Sequence, residues 1–240
     1  MTLKNIAILG GSGAIGSAFT HLLSGAYPEA HITSFSRKHH NKHHGNISNF
    51  TIDWENETTI EQAAQTAAQD APLDLVIVTN GILCDQHIMP EKSLKDLSAE
   101  KFQKIFAVNT IIPALIAKHF VPKLNKKSPA IFAALSARVG SISDNHIGGW
   151  YAYRASKAAL NMVIKNTAIE TARKNNHAII VGLHPGTVDS DLSKPFQGNV
   201  PEHKLFTAEY SARKLLDVLN SVTPQQSGQC FAWDGQEILP

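Results

Sequence analysis

Tyr153 and Lys157 are the residues whose types and spacing most plainly suggest chemistry. They stand four apart in Trp150-Tyr-Ala-Tyr-Arg-Ala-Ser-Lys157, at the head of a helix-forming run that reaches about Lys174. On a helix, positions i and i+4 lie one above the other, which puts the phenol and the ammonium on one face. A free tyrosine titrates near pH 10 and is a poor proton source at neutral pH. An ammonium at roughly 4 Å, in an effective dielectric of about 20, favours the phenolate by about 4 kcal/mol. At about 1.4 kcal/mol per pKa unit, that brings the phenol within reach of pH 7. The spacing therefore predicts a tyrosine tuned downward by its lysine, a general acid for a carbonyl or a general base for an alcohol.

The start of the chain supplies a place for a partner molecule. Residues 4–9 form a short apolar run that ends at Gly10-Gly-Ser-Gly-Ala-Ile-Gly16, and a helical pattern follows to about Ser24. Strand, glycine turn and helix in that order are the context of a dinucleotide-binding turn. Gly10, Ser12, Gly13, Ile15 and Gly16 are its candidate contacts. Glycines there allow positive φ and close approach to a pyrophosphate, which the helix N-terminus then faces. A second apolar run, His31–Phe35, leads into Ser36-Arg37-Lys38. An NAD site places an acidic residue about 20 positions beyond the glycines. Ser36 stands there instead, and Arg37 beside it suits a bidentate pair with a 2′-phosphate. NADP is the expected cofactor, with NADPH preferred over NADH. The histidines of residues 39–44 have no carboxylate or cysteine company, so no metal site is expected.

Further along, Phe50–Trp54 reads as a third strand, with Asp53 placed to accept from an adenine amino group and Trp54 packing nearby. A helix over 57–69 follows. Residues 75–79 read as a buried fourth strand running into Asn80-Gly81, where a turn passes the cofactor. Residues 98–125 are mostly helical, yet Pro113 cannot donate to the carbonyl four residues back, that of Asn109. Asn109 is thus expected to offer a free main-chain acceptor to an ordered water. A fifth strand, 130–135, leads into Ser136 and Ser141, and a sixth, 178–183, into His184-Pro185-Gly186-Thr187-Val188. A helix over 207–220 and a strand over 229–233 close the chain. The fold class is α/β: one Rossmann-type domain over 1–240, a doubly wound sheet of about seven mostly parallel strands with helices on both faces. Ligands sit at the carboxyl ends of such strands. Gly10, Arg37, Asp53, Asn80, Ser136 and Pro185 all fall at those ends.

As a set, these motifs resemble the short-chain dehydrogenase/reductase family, from about residue 4 to the last strand. Pro90-Glu-Lys-Ser-Leu-Lys-Asp-Leu97, Gly140-Ser-Ile-Ser-Asp-Asn145, Gly149–Lys157 and Phe231-Ala-Trp-Asp-Gly235 are similar to its C-factor-like and Sniffer-like carbonyl reductase branch. The resemblance implies that Tyr153 protonates a carbonyl oxygen as a nicotinamide delivers hydride. It implies that Lys157 binds the nicotinamide ribose and depresses the tyrosine pKa, and that Asn109 holds a relay water. Pro185, Gly186, Thr187 and Val188 would meet the carboxamide. The family's substrate-orienting serine falls on Ala137, which leaves Ser141, then Ser136, as replacements. Ser136 is expected to point to the opposite strand face. Residues of about 190–206 fall where the family has a substrate lid. An NADP-binding sensor with vestigial catalysis is the alternative reading.

Composition sets the outer bounds. The 240 residues are 43% apolar and 18% charged, with 22 basic against 20 acidic side chains, so nothing draws the chain toward nucleic acid or a membrane surface. Cys84 and Cys230 make no disulfide framework. No apolar run is read as a membrane span. A cytoplasmic protein acting on a small carbonyl or alcohol is expected, with a homodimer or homotetramer carried over from the family.

Overall fold

The computed structural model describes residues 3–37, 45–85 and 88–240; the histidine-rich stretch lies outside them. The opening unit is β1 (Asn5–Leu9), α1 (Ala14–Ala26), β2 (His31–Ser36) and β3 (Ile47–Thr51). Then come α2 (Glu57–Ala67), β4 (Leu75–Val78), α3 (Ala99–Phe106), α4 (Ile112–Phe120) and β5 (Ala130–Leu135). The last third holds α5 (Tyr151–Ala172), β6 (Ala178–His184), β7 (Thr187–Val188), β8 (Leu205–Phe206), α6 (Ala208–Ser221) and β9 (Cys230–Ala232).

Seven strands form one sheet in the order β3-β2-β1-β4-β5-β6-β9, and every pairing in it is parallel. The two-residue period of a strand divides the core in two. Ala7, Leu9, Val76, Val78, Phe132 and Ala134 face α2, α4 and α5. Ile6, Ile8, Leu75, Ile77, Ile131 and Ala133 face α1 and α6. Both faces are covered, which is why these strands read as unbroken apolar runs. Each fully buried Ile or Leu removes enough apolar surface from water to contribute about 1.5–3 kcal/mol.

Several boundaries differ from the sequence reading. The third strand starts earlier, because Ile47 pairs with Ile32 and Phe50 with Phe35, which leaves Asp53 and Trp54 beyond its end. The long helix is divided: a π-helical turn over Ala107–Ile111 separates α3 from α4. Taken as one run, Ala99–Lys123 is long and apolar enough to cross a membrane, which the sequence reading did not anticipate. Its Ile105, Ile112, Ile116 and Phe120 are buried in the protein core. The pairing of β7 with β8 was not foreseen; two residues each are too short for any pattern to show.

Candidate active site

Helix α5 presents Tyr153 and Lys157 to the carboxyl end of β5. The Lys157 ammonium is buried, donates to the Leu135 carbonyl at 2.8 Å, and lies 5.8 Å from the centre of the Tyr153 ring. Burial pushes the Tyr153 phenol up to about 12 and the Lys157 ammonium down to about 8. This corrects the expectation that the lysine would hold the tyrosine low. Removing both groups from water penalises both charged forms, and the ammonium's close contact goes to Leu135.

Asn109 is fully buried on the π-helical turn. Its side chain grips Ile82 at both ends: Oδ1 accepts from the Ile82 N–H at 2.8 Å and Nδ2 donates to the Ile82 carbonyl at 2.9 Å. Nδ2 also donates to Ser156 Oγ at 3.1 Å, and that hydroxyl donates to the Tyr153 carbonyl at 2.7 Å. The main chain follows the proline argument and extends it. The Ile112 N–H reaches back five residues to Ala107, and Pro113 has none to give. The two donors that a regular α-helix would aim at the carbonyls of Val108 and Asn109 are thus both diverted or missing.

The glycine turn closes over the ends of β1 and β2. Gly10, at φ 93°, and Gly11 both donate their N–H to the Phe35 carbonyl, at 2.9 and 3.1 Å. A Cβ on Gly16 would collide with the Gly10 carbonyl and Thr79, so the helix can lie this close only on glycine. The N-terminus of α1 has no side-chain cap and no acidic residue in its first turn, which leaves it open to an anion. Ser12 and Gly13 stand at the head of a groove that runs between α1 and α6, past His21, Glu209 and Arg213, while Ile15 packs inward on the α1 side of the core.

Ser36 is buried at the end of β2, and Arg37 is exposed just beyond, two residues from the carbonyl that anchors the glycine turn. Asn80 Oδ1 is buried with no partner among the described residues, and a Cβ on Gly81 would stand 3.7 Å from Lys157 Nζ. His184 Nδ1 is likewise unpartnered, and burial lowers that histidine to about 4, so it is neutral. Next to it the Pro185 carbonyl accepts from Ser211 at 2.8 Å. Gly186 sits at φ 75° against Phe206, and Thr187–Val188 pair with Leu205–Phe206. An uncapped helix N-terminus and an unpartnered buried amide oxygen at adjacent strand ends fit a dinucleotide.

Two candidates have partners within the chain. The Trp54 side chain is buried in the same core cluster as Phe35, Ile52 and Ile60. Asp53 serves its own turn: Oδ1 accepts from the Glu55 N–H at 3.0 Å, and its carbonyl accepts from Thr59 Oγ1 at 2.5 Å. The serines are also engaged. Ser136 faces α5, against the expectation that it would point away, and donates to Asn161 Oδ1 at 2.5 Å, two helical turns past Tyr153. Ser141 Oγ accepts from the Asp144 N–H at 3.1 Å and lies 3.2 Å from Ser143 Oγ. Among the described residues, no hydroxyl replaces the one missing at Ala137 by bonding to the Tyr153 oxygen.

Sequence reasoning missed the neighbours of the phenol. The Trp150 ring meets Tyr153 edge-on, with centres 6.2 Å apart and planes at 77°. It also meets Phe196, at 5.1 Å and 60°, from the segment where a lid was expected. That segment is tied down by Ser193 Oγ, which donates to the Val188 carbonyl at 2.5 Å and accepts from Gln197 at 2.8 Å. The adjacent Gly148-Gly149 was the one available sign that the backbone before α5 is unusual.

The sequence profile of the family described as short chain dehydrogenase matches residues 4–200. The C-signal protein of Myxococcus xanthus is 29% identical over 180 residues, which cover 74% of this chain and 98% of that one. The NADPH-bound carbonyl reductase from chicken fatty liver superposes with a TM-score of 0.85 at 21% identity, over 100% of this chain and 95% of that one. The carbonyl reductase Sniffer of D. melanogaster gives a TM-score of 0.85 at 22% identity, over 99% of this chain and all of that one. At such identities the two structures speak for the fold. The resemblance to the C-factor, read from short phrases of sequence, is matched by the C-signal protein, and Sniffer shares the fold.

Proposed function

We propose that this chain, which belongs to the short chain dehydrogenase family, is an NADP(H)-dependent oxidoreductase that moves hydride between the nicotinamide and a small carbonyl or alcohol. The observation that carries the reading is the meeting of Tyr153 and Lys157 with the end of β5, beside the Asn80–Gly81 turn. The hydride belongs to the cofactor; the proton belongs to Tyr153. With a pKa near 12 the phenol is protonated at neutral pH, the form a carbonyl acceptor needs. Lys157 holds positive charge between Leu135 and the ribose position. Asn109 fixes Ile82 through its side chain and offers its main-chain carbonyl to a relay water. Arg37 takes the 2′-phosphate, and the open N-terminus of α1 takes the pyrophosphate. The name of the chicken relative, an NADPH-bound carbonyl reductase, supports this choice of cofactor and reaction.

Purified protein mixed with NADPH and a panel of small carbonyls, followed by loss of nicotinamide absorbance, tests the proposal. Turnover that disappears in Tyr153→Phe is the expected result. Tight NADPH binding without turnover of any carbonyl would favour a cofactor-binding sensor instead.

A further inference from the structure

Helix α5 carries the phenol, yet it has no cap of its own. Trp150 occupies the cap position without a side-chain bond to the first turn, and that turn holds no acidic residue. Gly148, Gly149 and Trp150 have φ of 71, 66 and 50°. Two glycines take such a backbone freely; a tryptophan does so only where its surroundings hold it.

What holds it is Glu91, from the loop after β4. Its carbonyl accepts from the Trp150 N–H at 2.6 Å, and its carboxylate Oε2 accepts from the Ala152 N–H at 3.2 Å. The residue is 2% exposed. A Cβ on Gly149 would stand 3.4 Å from the Glu91 carbonyl, so the strap crosses the helix end at contact distance. Beside it Ile88, Ile105 and Ala152 form a small core of their own, with Ile82 and Phe102 packed against it. This cluster locks the strap to the first turn of α5 and to the residue that Asn109 grips.

We propose that Glu91 is a positioning residue for the proton transfer at Tyr153, an inference that rests on the catalytic reading above. Its carboxylate supplies the missing cap and the negative charge that a helix N-terminus favours. Its carbonyl keeps Trp150 left-handed, and the Trp150 ring in turn abuts the ring of Tyr153. The backbone at 150–152 thereby sets where the phenolic oxygen stands, and displacements of about 1 Å at a reacting group cost up to about a hundredfold in rate.

The test compares Glu91→Ala, Glu91→Gln and Glu91→Asp with the wild-type chain. NADPH affinity is read by fluorescence, and kcat and KM with a carbonyl that the wild type reduces. Glu91→Ala is expected to lose tenfold or more in kcat, with NADPH affinity within twofold, since the dinucleotide turn is built from other elements. The glutamine amide oxygen can accept the same Ala152 N–H, so Glu91→Gln should recover most of the loss. Should Glu91→Ala not fold, Glu91→Asp decides. It keeps the charge but withdraws the carboxylate by one methylene, and should fall at least threefold in kcat at unchanged NADPH affinity. Wild-type kcat in the aspartate variant, or NADPH affinity lost in step with kcat, overturns the role of Glu91. A wild-type chain that reduces no carbonyl overturns the reading of Tyr153 beneath it.

Discussion

Replacing Lys157 by methionine probes the electrostatics of the site through stability rather than activity. The ammonium falls from an ordinary 10.5 to about 8 because it is buried. That gap, about 2.5 pKa units at about 1.4 kcal/mol each, is roughly 3–4 kcal/mol. Between the two values the unfolded chain keeps the proton that the folded chain has released, so stability rises with pH across this window. Below about pH 8 the wild type bears the full penalty of a buried charge; above about pH 10.5 it bears none. Methionine has no charge to bury, but it leaves the Leu135 carbonyl without its donor, at a cost of about 1–3 kcal/mol. That cost does not depend on pH, and Tyr153 titrates in both proteins. The difference in unfolding free energy, wild type minus Lys157→Met, should therefore climb by roughly 3–4 kcal/mol from about pH 8 to about pH 10.5. Urea unfolding of cofactor-free protein across that range measures it. A flat difference would refute the reasoning, because it would mean that the ammonium is solvated in the folded state.

Two further predictions concern recognition and rate. Arg37→Ala should weaken NADPH by about tenfold or more, the worth of a charge-assisted pair, and leave NADH nearly unchanged; equal losses for both, measured by titration, would remove Arg37 from the 2′-phosphate. Ala137→Ser should raise kcat, because an added hydroxyl of this kind contributes about 10²–10³ elsewhere. Ser136→Ala and Ser141→Ala should each change kcat by no more than about threefold, since neither hydroxyl is directed at the phenol. A large loss in either, by steady-state kinetics, would identify the serine that works.

The parts of this protein that repeat a local rule were readable from the chain. Apolar runs such as Leu75–Val78 must be strands buried on both faces, and Gly16 must be glycine because the helix rests on the Gly10 carbonyl. Pro113 gave the disruption at Asn109 by simple accounting of donors, though not the π-helical turn that adds Val108 to the diverted acceptors. What stayed hidden depends on distant segments. That Trp54 buries its side chain in the core, just beyond the end of β3, is not encoded by its place after a strand. Trp150 and Glu91 meet only after the loop beyond β4 folds across α5, and no spacing within either segment encodes that contact. The Tyr153 pKa was misjudged for a related reason. Spacing on a helix says that two groups are near; it says nothing about how much water each one loses.

That misjudgement bears on the direction of the reaction. A phenol near 12 is an acid at rest, and ionising it at pH 7 would cost roughly 7 kcal/mol at about 1.4 kcal/mol per unit. Reduction of a carbonyl starts from the protonated phenol, but the proton it gives up leaves the same phenolate behind. Oxidation of an alcohol needs the phenolate first, and the group nearest to stabilise it, the Lys157 ammonium, gives its close contact to the Leu135 carbonyl. The proton step is therefore costly in either direction unless positive charge is added beside the phenol; what differs is the form of Tyr153 from which each direction starts. An alkaline optimum for alcohol oxidation, well above that for carbonyl reduction, is the kinetic form of the same statement. Coincident optima would show that the bound cofactor, rather than the fold, decides the charge on Tyr153.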